Sequence, residues 1–142
     1  MNQNARFDCE LHRSLAATIE AVEDFFVEFH ERSQAMKERI NCFEAELLIR
    51  EALTNAVLHG CGEDPRKQVG CSLRLRGKRL LIAVADAGEG FDWRAARAKS
   101  ADTLGCSGRG LEILYRYADQ VRFSDKGNLV TMIKDFDRGK LS

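Results

Sequence analysis

The sequence has 142 residues and carries 22 Lys and Arg against 22 Asp and Glu, so its formal net charge is zero. This length suits one domain that buries an ordinary hydrophobic core. The charge balance provides no overall basic field for nucleic acid or an anionic membrane, and no apolar run reaches the roughly 18 residues of a membrane span. We therefore expect a single cytoplasmic domain over residues 1–142 that binds neither nucleic acid nor membrane.

The five cysteines and three histidines follow no familiar ligand or disulfide spacing. No C-x-x-C pair occurs, and the histidines do not fall near the cysteines in a zinc-like pattern. We interpret the cysteines as reduced thiols that mostly fill the core. Cys106, within a glycine-rich stretch, is the one that we expect to be exposed.

The first 60 residues predict one strand and two helices. Weak alternation of apolar residues predicts a short strand over Arg6–Leu11. Apolar residues at three- and four-residue steps predict a helix over Ser14–Phe29, with its first residue as the N-cap. A second helix is predicted over Cys42–His59, with Gly60 and Gly62 as stop signals.

The second half predicts four strands that form two hairpins. Between the hairpins lie a long stretch without sustained periodicity, 86–110, and a helix near Leu111–Ala118. Strands joined by hairpins are antiparallel, so the economical fold is α+β. It would be a two-layer sandwich with helices on one face of a mixed, mostly antiparallel sheet. The four predicted strands are Val69–Leu75, Leu80–Ala85, Gln120–Ser124 and Leu129–Asp135.

A stripe of polar side chains follows the second helix. Glu51, Asn55 and His59 are spaced i, i+4 and i+8 and so lie on one side. A carboxylate, an amide and an imidazole in a row on a docked helix suggest one wall of a site, although a solvated face would explain the stripe equally well. We assign His59 to the structure of the helix end.

The segment D-A-G-E-G at the end of the apolar central strand predicts a second wall. The Asp86 carboxylate can accept a hydrogen bond from an exocyclic amine. Gly88 and Gly90 lack side chains, which lets a flat ring approach the backbone. Alone, the segment is explained at least as well by an ordinary turn.

The segment G-C-S-G-R-G-L before the third helix predicts a phosphate cradle. Glycines that lead into a helix expose backbone N–H groups at the positive end of the helix dipole, which suits phosphate. Neither a dinucleotide-binding G-x-G-x-x-G nor a P-loop is present. The candidate residues are Gly105, Gly108 and Gly110, with Arg109 adding positive charge.

Together the three segments are typical of an adenine-nucleotide site. The neutral side-chain oxygen of Asn55 suits Mg²⁺, which keeps several waters and bridges phosphate oxygens. Glu51, one turn earlier, can orient or deprotonate an attacking hydroxyl or water. The sequence therefore predicts ATP and Mg²⁺ as cofactors, with Asn55 as the metal ligand and Glu51 as the catalytic residue.

These segments resemble the motifs of one family. E-A-L-T-N-A-V-L-H-G resembles the N box of the histidine-kinase-like (GHKL) ATPases, D-A-G-E-G-F their first glycine box and S-G-R-G-L their second. The spacing and element order most resemble the anti-sigma factor serine-protein kinases of bacterial partner-switching systems, over about Phe7–Phe136.

The resemblance implies a Bergerat ATP-binding fold with a lid over about Phe91–Ser107. It also implies phosphorylation of a serine on a STAS-type anti-anti-sigma protein, sequestration of a sigma factor or similar regulator, and a homodimer. Asn55 matches the metal-ligating Asn, Glu51 the proposed general base and Asp86 the Asp that reads adenine. The remaining matches are the box glycines Gly88, Gly90, Gly108 and Gly110, with Arg109 between the last two.

Two other functions stay open beside this protein-serine kinase. An ATP-binding switch module would hold a regulatory partner without phosphotransfer, and it would not need the carboxylate of Glu51. The catalytic domain of a sensor histidine kinase is less favoured, because these 142 residues contain no pair of long helices with a phosphoacceptor histidine. One motif departs from the family: its frequent G-T on the final hairpin is replaced here by Gly127 and Asn128.

Overall fold

The computed structural model describes residues 7–86 and 106–137, with side chains in the second range described from residue 112 onwards. Within these ranges it contains five strands and three α-helices, numbered here in chain order. A short 3₁₀ turn, Gln34–Met36, follows α1, and a π-helical turn, Ala56–Gly60, continues α2. The elements are β1 (Cys9–Ala16), α1 (Ile19–Ser33), α2 (Cys42–Asn55), β2 (Gln68–Arg76), β3 (Arg79–Asp86), α3 (Cys106–Tyr117), β4 (Gln120–Phe123) and β5 (Leu129–Asp135).

The strands form one sheet in the order β1-β2-β3-β5-β4, and each neighbouring pair is antiparallel. The apolar β3 lies at its centre, as the sequence predicts. Alternate residues of β2 and β3 are buried, and with the helices they form one hydrophobic core. The predicted α+β class is confirmed, with the described sheet antiparallel throughout. The largest fully buried side chains include Phe26, Phe29, Leu48, Ile49, Leu53, Ile82 and Met132.

The boundary between β1 and α1 differs from the prediction. Ser14, the expected N-cap, lies inside β1, where it pairs with Gly70 of β2. The cap is Thr18, whose hydroxyl accepts a hydrogen bond from the N–H of Ala21 at 3.1 Å. The prediction was wrong because the outward-facing residues of β1 are polar, and their pairing with β2 is a long-range contact that local periodicity does not show.

Helix α3 begins at Cys106, five residues before the predicted start at Leu111. Glycine is a poor helix former, so Gly108 and Gly110 obscured the helical pattern. Packing of α3 against α2 supplies a tertiary stabilisation that sequence periodicity does not show.

A charged network joins α1 to α2. Arg50 donates hydrogen bonds to Glu23 and, at 2.9 Å, to Glu46, while its guanidinium lies 4.3 Å from the ring centroid of Phe26. Glu46 is also 2.6 Å from His30. Burial raises the pKa of the Glu46 carboxyl, but its hydrogen bonds with Arg50 and His30 outweigh burial and bring the pKa below its ordinary value of 4.5.

We predict that Glu46→Gln lowers the free energy of unfolding by about 1–2 kcal/mol at neutral pH, because partly buried charged hydrogen bonds are lost. A carboxyl whose pKa is lower in the folded than in the unfolded chain stabilises the fold at pH values above its unfolded pKa. This stabilisation is lost as the pH falls through the pKa of the folded chain. Urea unfolding should therefore show a weaker loss of stability on acidification in Glu46→Gln than in wild type. Glu38→Gln, at an exposed position, is the control; equal acid dependence in wild type and Glu46→Gln would contradict the prediction.

Candidate nucleotide site

Asn55 and Asp86 are brought together around one cavity, where the end of β3 meets α2, the π turn and the β4–β5 hairpin. The cavity has a volume of about 10 Å³, which is room for about one water molecule. A purine base therefore enters only when the surrounding groups move apart. The described lining residues are Ala52, Asn55, Ala56, Val84, Asp86, Leu114, Phe123, Gly127, Asn128 and Val130.

A larger depression of about 450 Å³ lies on the opposite, open face of the sheet. Two of its polar side chains bond to each other, since His12 contacts Ser72 at 2.8 Å, and His12 also contacts Glu10, outside the lining, at 2.9 Å. None of the predicted site residues lines it. The candidate site is therefore the smaller cavity at the end of β3.

Asn55 is the last residue of α2 and is only 8% exposed. Its side-chain amide makes no hydrogen bond to any residue within 7–86 or 112–137, and the residue faces the cavity that it lines. An amide at such burial needs hydrogen-bond partners. Its place in the lining brings Asn55 next to any ligand that enters the cavity.

Glu51 lies one turn before Asn55 on α2 and is half-buried, but it is not among the described residues that line the cavity. Burial raises the pKa of its carboxyl above the ordinary value of 4.5, with the charge of Arg50 opposing the rise. Its carboxylate makes no hydrogen bond to the described part of the chain. These properties suit a group that takes up a proton.

Asp86 is the last residue of β3, and its N–H donates a hydrogen bond to the carbonyl of Asn128 at 2.9 Å. Its carboxylate packs against the backbone of Gly60: a Cβ built on that glycine would lie 2.3 Å from Oδ2 of Asp86. Gly60 does not have a positive φ, so the absence of a side chain is required by space and not by backbone conformation. Gly60 thus makes room for the carboxylate, a role that no local signal in the sequence indicates.

The π turn at Ala56–Gly60 corrects the prediction of one continuous α-helix to His59. The N–H of Cys61 donates to the carbonyl of Ala56 at 2.9 Å, five residues earlier. Because a π turn takes more residues than an α turn, His59 leaves the line through Glu51 and Asn55. Gly60 lies inside the turn rather than after it, and Gly62, with a φ of 62°, has the left-handed conformation expected of a stop signal.

The β4–β5 hairpin contributes Asn128, which was not among the predicted site residues and departs from the family pattern. The Ser124 hydroxyl donates to Oδ1 of Asn128 at 2.9 Å and accepts the N–H of Leu129 at 3.2 Å. Gly127, with a φ of 76°, provides the tight turn that the D-K-G-N segment predicts. The hairpin therefore presents a fixed amide at the cavity.

The phosphate cradle remains a prediction. Gly88, Gly90 and Gly105 lie outside the described residues, as does the expected lid except for its last two positions. Gly108, Arg109 and Gly110 lie in the first two turns of α3. The first N–H groups of an α-helix have no partner within the helix, so the start of α3 is suited to bind an anion.

The donor set near Asn55 fits Mg²⁺ only if phosphate and water complete the coordination. No group of three or more His, Cys, Asp or Glu that could hold a metal occurs among the described residues. Mg²⁺ commonly binds through one or two protein oxygens together with substrate phosphates. Asn55, with its neutral side-chain oxygen at the cavity, is the residue that would hold it.

Residues 12–134 match the histidine kinase-like ATPase domain family. Because the match spans most of the 142 residues, the chain belongs to this family. The resemblance drawn from the three motifs is thereby confirmed. Within the described ranges, no helix is both long and apolar enough to span a membrane.

Similar curated proteins are named anti-sigma F factor or serine-protein kinase RsbW. An anti-sigma F factor of Anoxybacillus flavithermus is 29% identical over 104 residues, which cover 68% of this chain and 71% of that protein. The serine-protein kinase RsbW of Bacillus licheniformis is 30% identical over 107 residues, covering 69% of this chain and 67% of that one. The RsbW of Bacillus subtilis is 26% identical over 105 residues, covering 68% and 66%.

Similarity to solved structures is lower in sequence and extends over part of the chain. The histidine kinase domain of an Erythrobacter litoralis blue-light activated histidine kinase has a TM-score of 0.48 and 20% sequence identity. The match covers 70% of this chain and 46% of that one, so this chain spans about half the length of that structure.

We predict that Gly60→Ala destabilises the fold by about 1–3 kcal/mol, the usual cost of overpacking, because the new methyl group and the Asp86 carboxylate cannot occupy the same space. In an Asp86→Ala background the same substitution should cost much less, and urea unfolding of the four proteins measures the coupling. Gly70→Ala, whose Cβ would meet only a carbonyl oxygen at 3.9 Å, is the matched control. Equal costs of Gly60→Ala in both backgrounds would disprove the steric coupling.

We predict that Glu51→Gln stabilises the folded protein at neutral pH. The folded-state pKa of Glu51 is raised, so the neutral carboxyl favours folding below the unfolded pKa, and this advantage disappears as the pH rises through the folded value. The amide mimics the neutral form, and the gain should vanish well below pH 4.5. Urea unfolding at several pH values tests this, and a variant less stable than wild type at neutral pH would show that the carboxylate supports the fold.

Proposed function

We propose that this protein binds Mg·ATP, phosphorylates a serine on a STAS-type anti-anti-sigma protein and sequesters a sigma factor or similar regulator. The observation that carries the proposal is the meeting of Asn55 and Asp86 at one cavity, with Glu51 one turn away on α2. The family match supports an ATP-dependent domain. The names of the similar proteins, anti-sigma F factor and serine-protein kinase, support the regulatory role.

In this proposal each wall of the site binds one part of the nucleotide. Asp86 accepts a hydrogen bond from the adenine amino group, beside Gly88 and Gly90. Asn55 holds Mg²⁺, which neutralises phosphate charge when bound. The phosphates bind at the start of α3. Gly105 directly precedes this helix, and Gly108, Arg109 and Gly110 lie within it.

Glu51 acts as the general base. Its carboxylate takes the proton of the partner's serine hydroxyl while the serine oxygen bonds to the γ-phosphorus of ATP. The bond from the γ-phosphorus to the bridging oxygen breaks, and ADP leaves. The raised pKa of Glu51 makes it a better proton acceptor than an exposed glutamate.

A second candidate function is a nucleotide-dependent switch that holds a regulatory partner without phosphotransfer. The position of Glu51 outside the described lining of the cavity favours it. In such a module the nucleotide acts only by binding one conformation of the protein more tightly than another, which favours the partner that this conformation binds. The two functions differ in whether phosphate is transferred to the partner.

The protein partners follow from the family resemblance and the names of the similar proteins. A sigma factor or a similar regulator would be held in one nucleotide state, and the anti-anti-sigma protein would be bound and phosphorylated in another. The resemblance also supports a homodimer, which sedimentation of the full chain tests.

We predict that Glu51→Gln reduces phosphotransfer at least about 100-fold, because general-base catalysis is lost, while the affinity for ATP stays within about threefold. The assay incubates full-length protein with γ-labelled ATP, Mg²⁺ and purified STAS-type proteins, and follows label on the partner serine. Glu38→Gln serves as the exposed control. A Glu51→Gln variant that transfers phosphate as fast as wild type would exclude the base assignment, and a stable complex without label would favour the switch module.

Asn55→Ala and Asp86→Ala should each weaken nucleotide binding by about tenfold or more, since each removes a hydrogen bond or metal contact to the ligand. Calorimetric titration with ADP and Mg²⁺ measures the loss. Variants that bind as tightly as wild type would show that the nucleotide lies elsewhere.

A further inference from the structure

We propose that Ser72 is a nucleophile that accepts acyl groups from small, uncharged, activated esters, with His12 as its general base and Glu10 as the residue that positions His12. The three side chains lie on the open face of the sheet, away from the candidate nucleotide site. No nucleotide takes part in the reaction, so this chemistry is independent of the proposed function.

The pairing of β1 with β2 brings the three side chains together. His12 stands opposite Ser72 in the antiparallel register, and Glu10 lies two residues before His12 on β1. Residues that are opposite each other in a sheet, or two apart on one strand, point to the same face. The cluster therefore depends on the register of the two strands, and no local motif in the sequence indicates it.

The hydrogen bonds of His12 fix the direction in which a proton moves. Nε2 of His12 lies 2.9 Å from Oε1 of Glu10, and an ionised carboxylate only accepts hydrogen bonds. Nε2 therefore carries the proton of the neutral imidazole, which leaves Nδ1 as the acceptor. Nδ1 lies 2.8 Å from the Ser72 oxygen, so the hydroxyl donates to it. A serine whose hydroxyl donates to an imidazole that a carboxylate orients has the arrangement of an activated nucleophile.

A second serine in the same depression does not face a base. The Ser14 hydroxyl donates to the side-chain amide oxygen of Gln68 at 2.6 Å. An amide oxygen accepts a hydrogen bond but does not take up the proton, whereas an imidazole nitrogen does. Ser14 is thus an internal comparison for Ser72.

The depression at this cluster has a volume of about 450 Å³, which is enough for a small ester. Gly70, Ala83 and Ala85 line it with little or no side chain and leave apolar surface for an acyl group. The side chain of His12 is 49% exposed, so an ester reaches it from solvent. The neighbouring carboxylate of Glu10 disfavours esters that carry a negative charge.

The reaction balances without a cofactor. The Ser72 oxygen bonds to the carbonyl carbon of the ester while its proton passes to Nδ1 of His12. The bond from that carbon to the leaving-group oxygen then breaks, and the alcohol or phenol leaves with the proton from His12. Glu10 stabilises the imidazolium that forms between these two steps.

The sheet limits how fast this acylation proceeds. Strand β2 is paired on both sides, so its backbone N–H groups are used within the sheet and form no oxyanion hole beside Ser72. The expected acceleration is therefore that of general-base catalysis alone, about 10²–10⁴-fold.

The test incubates the full-length protein with p-nitrophenyl acetate at about pH 8, where free imidazole is neutral. Mass spectrometry of the digested protein locates the acetyl group and gives its initial rate of appearance at each serine. Ser72 should be acetylated at least about 100-fold faster than Ser14. His12→Gln, which removes the base, should lower the rate at Ser72 by about 100-fold or more. Ser14→Ala is the matched control and should leave the rate at Ser72 unchanged.

The protonation of His12 separates a positioning role of Glu10 from a merely structural one. In ¹⁵N NMR spectra of wild type at the same pH, the proton of the neutral imidazole should be on Nε2. Glu10→Ala should lose this preference for Nε2 and should slow the acetylation of Ser72 by about tenfold or more.

Acetylation of Ser72 no faster than that of Ser14 in wild type would overturn the role of Ser72, and this comparison needs no variant to fold. A His12→Gln variant that is acetylated at Ser72 as fast as wild type would exclude the general base. A proton on Nδ1 of neutral His12 in wild type would exclude it as well. ATP binding and phosphotransfer to a partner are measured separately, so a failure here is distinguishable from a failure of the proposed function.

Discussion

The site depends on the contact between the end of β3 and the end of α2. Asp86 is held there from two sides, by its backbone hydrogen bond to Asn128 and by the packing of its carboxylate against Gly60. If either side moved, the carboxylate would lose its place relative to Asn55 across the cavity. The π turn belongs to the same arrangement, because it is the segment that carries the backbone of Gly60 to Asp86.

Much of the fold could be predicted because its signals are local. The nearly all-apolar β3 predicts a central strand, since both of its faces carry apolar residues. The starts of α1 and α3 could not be predicted so well. Ser14 is a good N-cap by residue type, but the pairing of β1 with β2 places it in a strand. Gly108 and Gly110 weaken the local preference of α3, and the contact with α2 outweighs that weakness.

The residues that the structure brings together at the cavity could be predicted only in part, for a similar reason. Asn55 and Asp86 stand in recognisable motifs, whereas the roles of Gly60 and Asn128 depend on distances between segments that are remote in sequence. A glycine after a helical pattern indicates a helix end, and nothing local shows that its missing side chain makes room for a carboxylate. For Asn128 the useful signal was the departure from the family pattern. It gains a chemical meaning only with the hydrogen bond from Ser124.

Helix α2 shows how polar residues of the fold differ from polar residues of the site. Arg50 and Glu46 are partly buried, and each has two hydrogen-bonding side-chain partners, so their desolvation is compensated within the protein. Glu51 is adjacent to Arg50, yet its carboxylate has no hydrogen bond in the described ranges and burial raises its pKa. The same helix therefore carries one charged side chain that the fold pairs and one whose carboxylate is partly buried with only the charge of Arg50 opposing the rise in its pKa. Burial and pairing thus act on neighbouring residues in opposite directions, and a carboxyl with a raised pKa is of the kind that functional sites use, although ion-pair networks of the fold also shift pKa values.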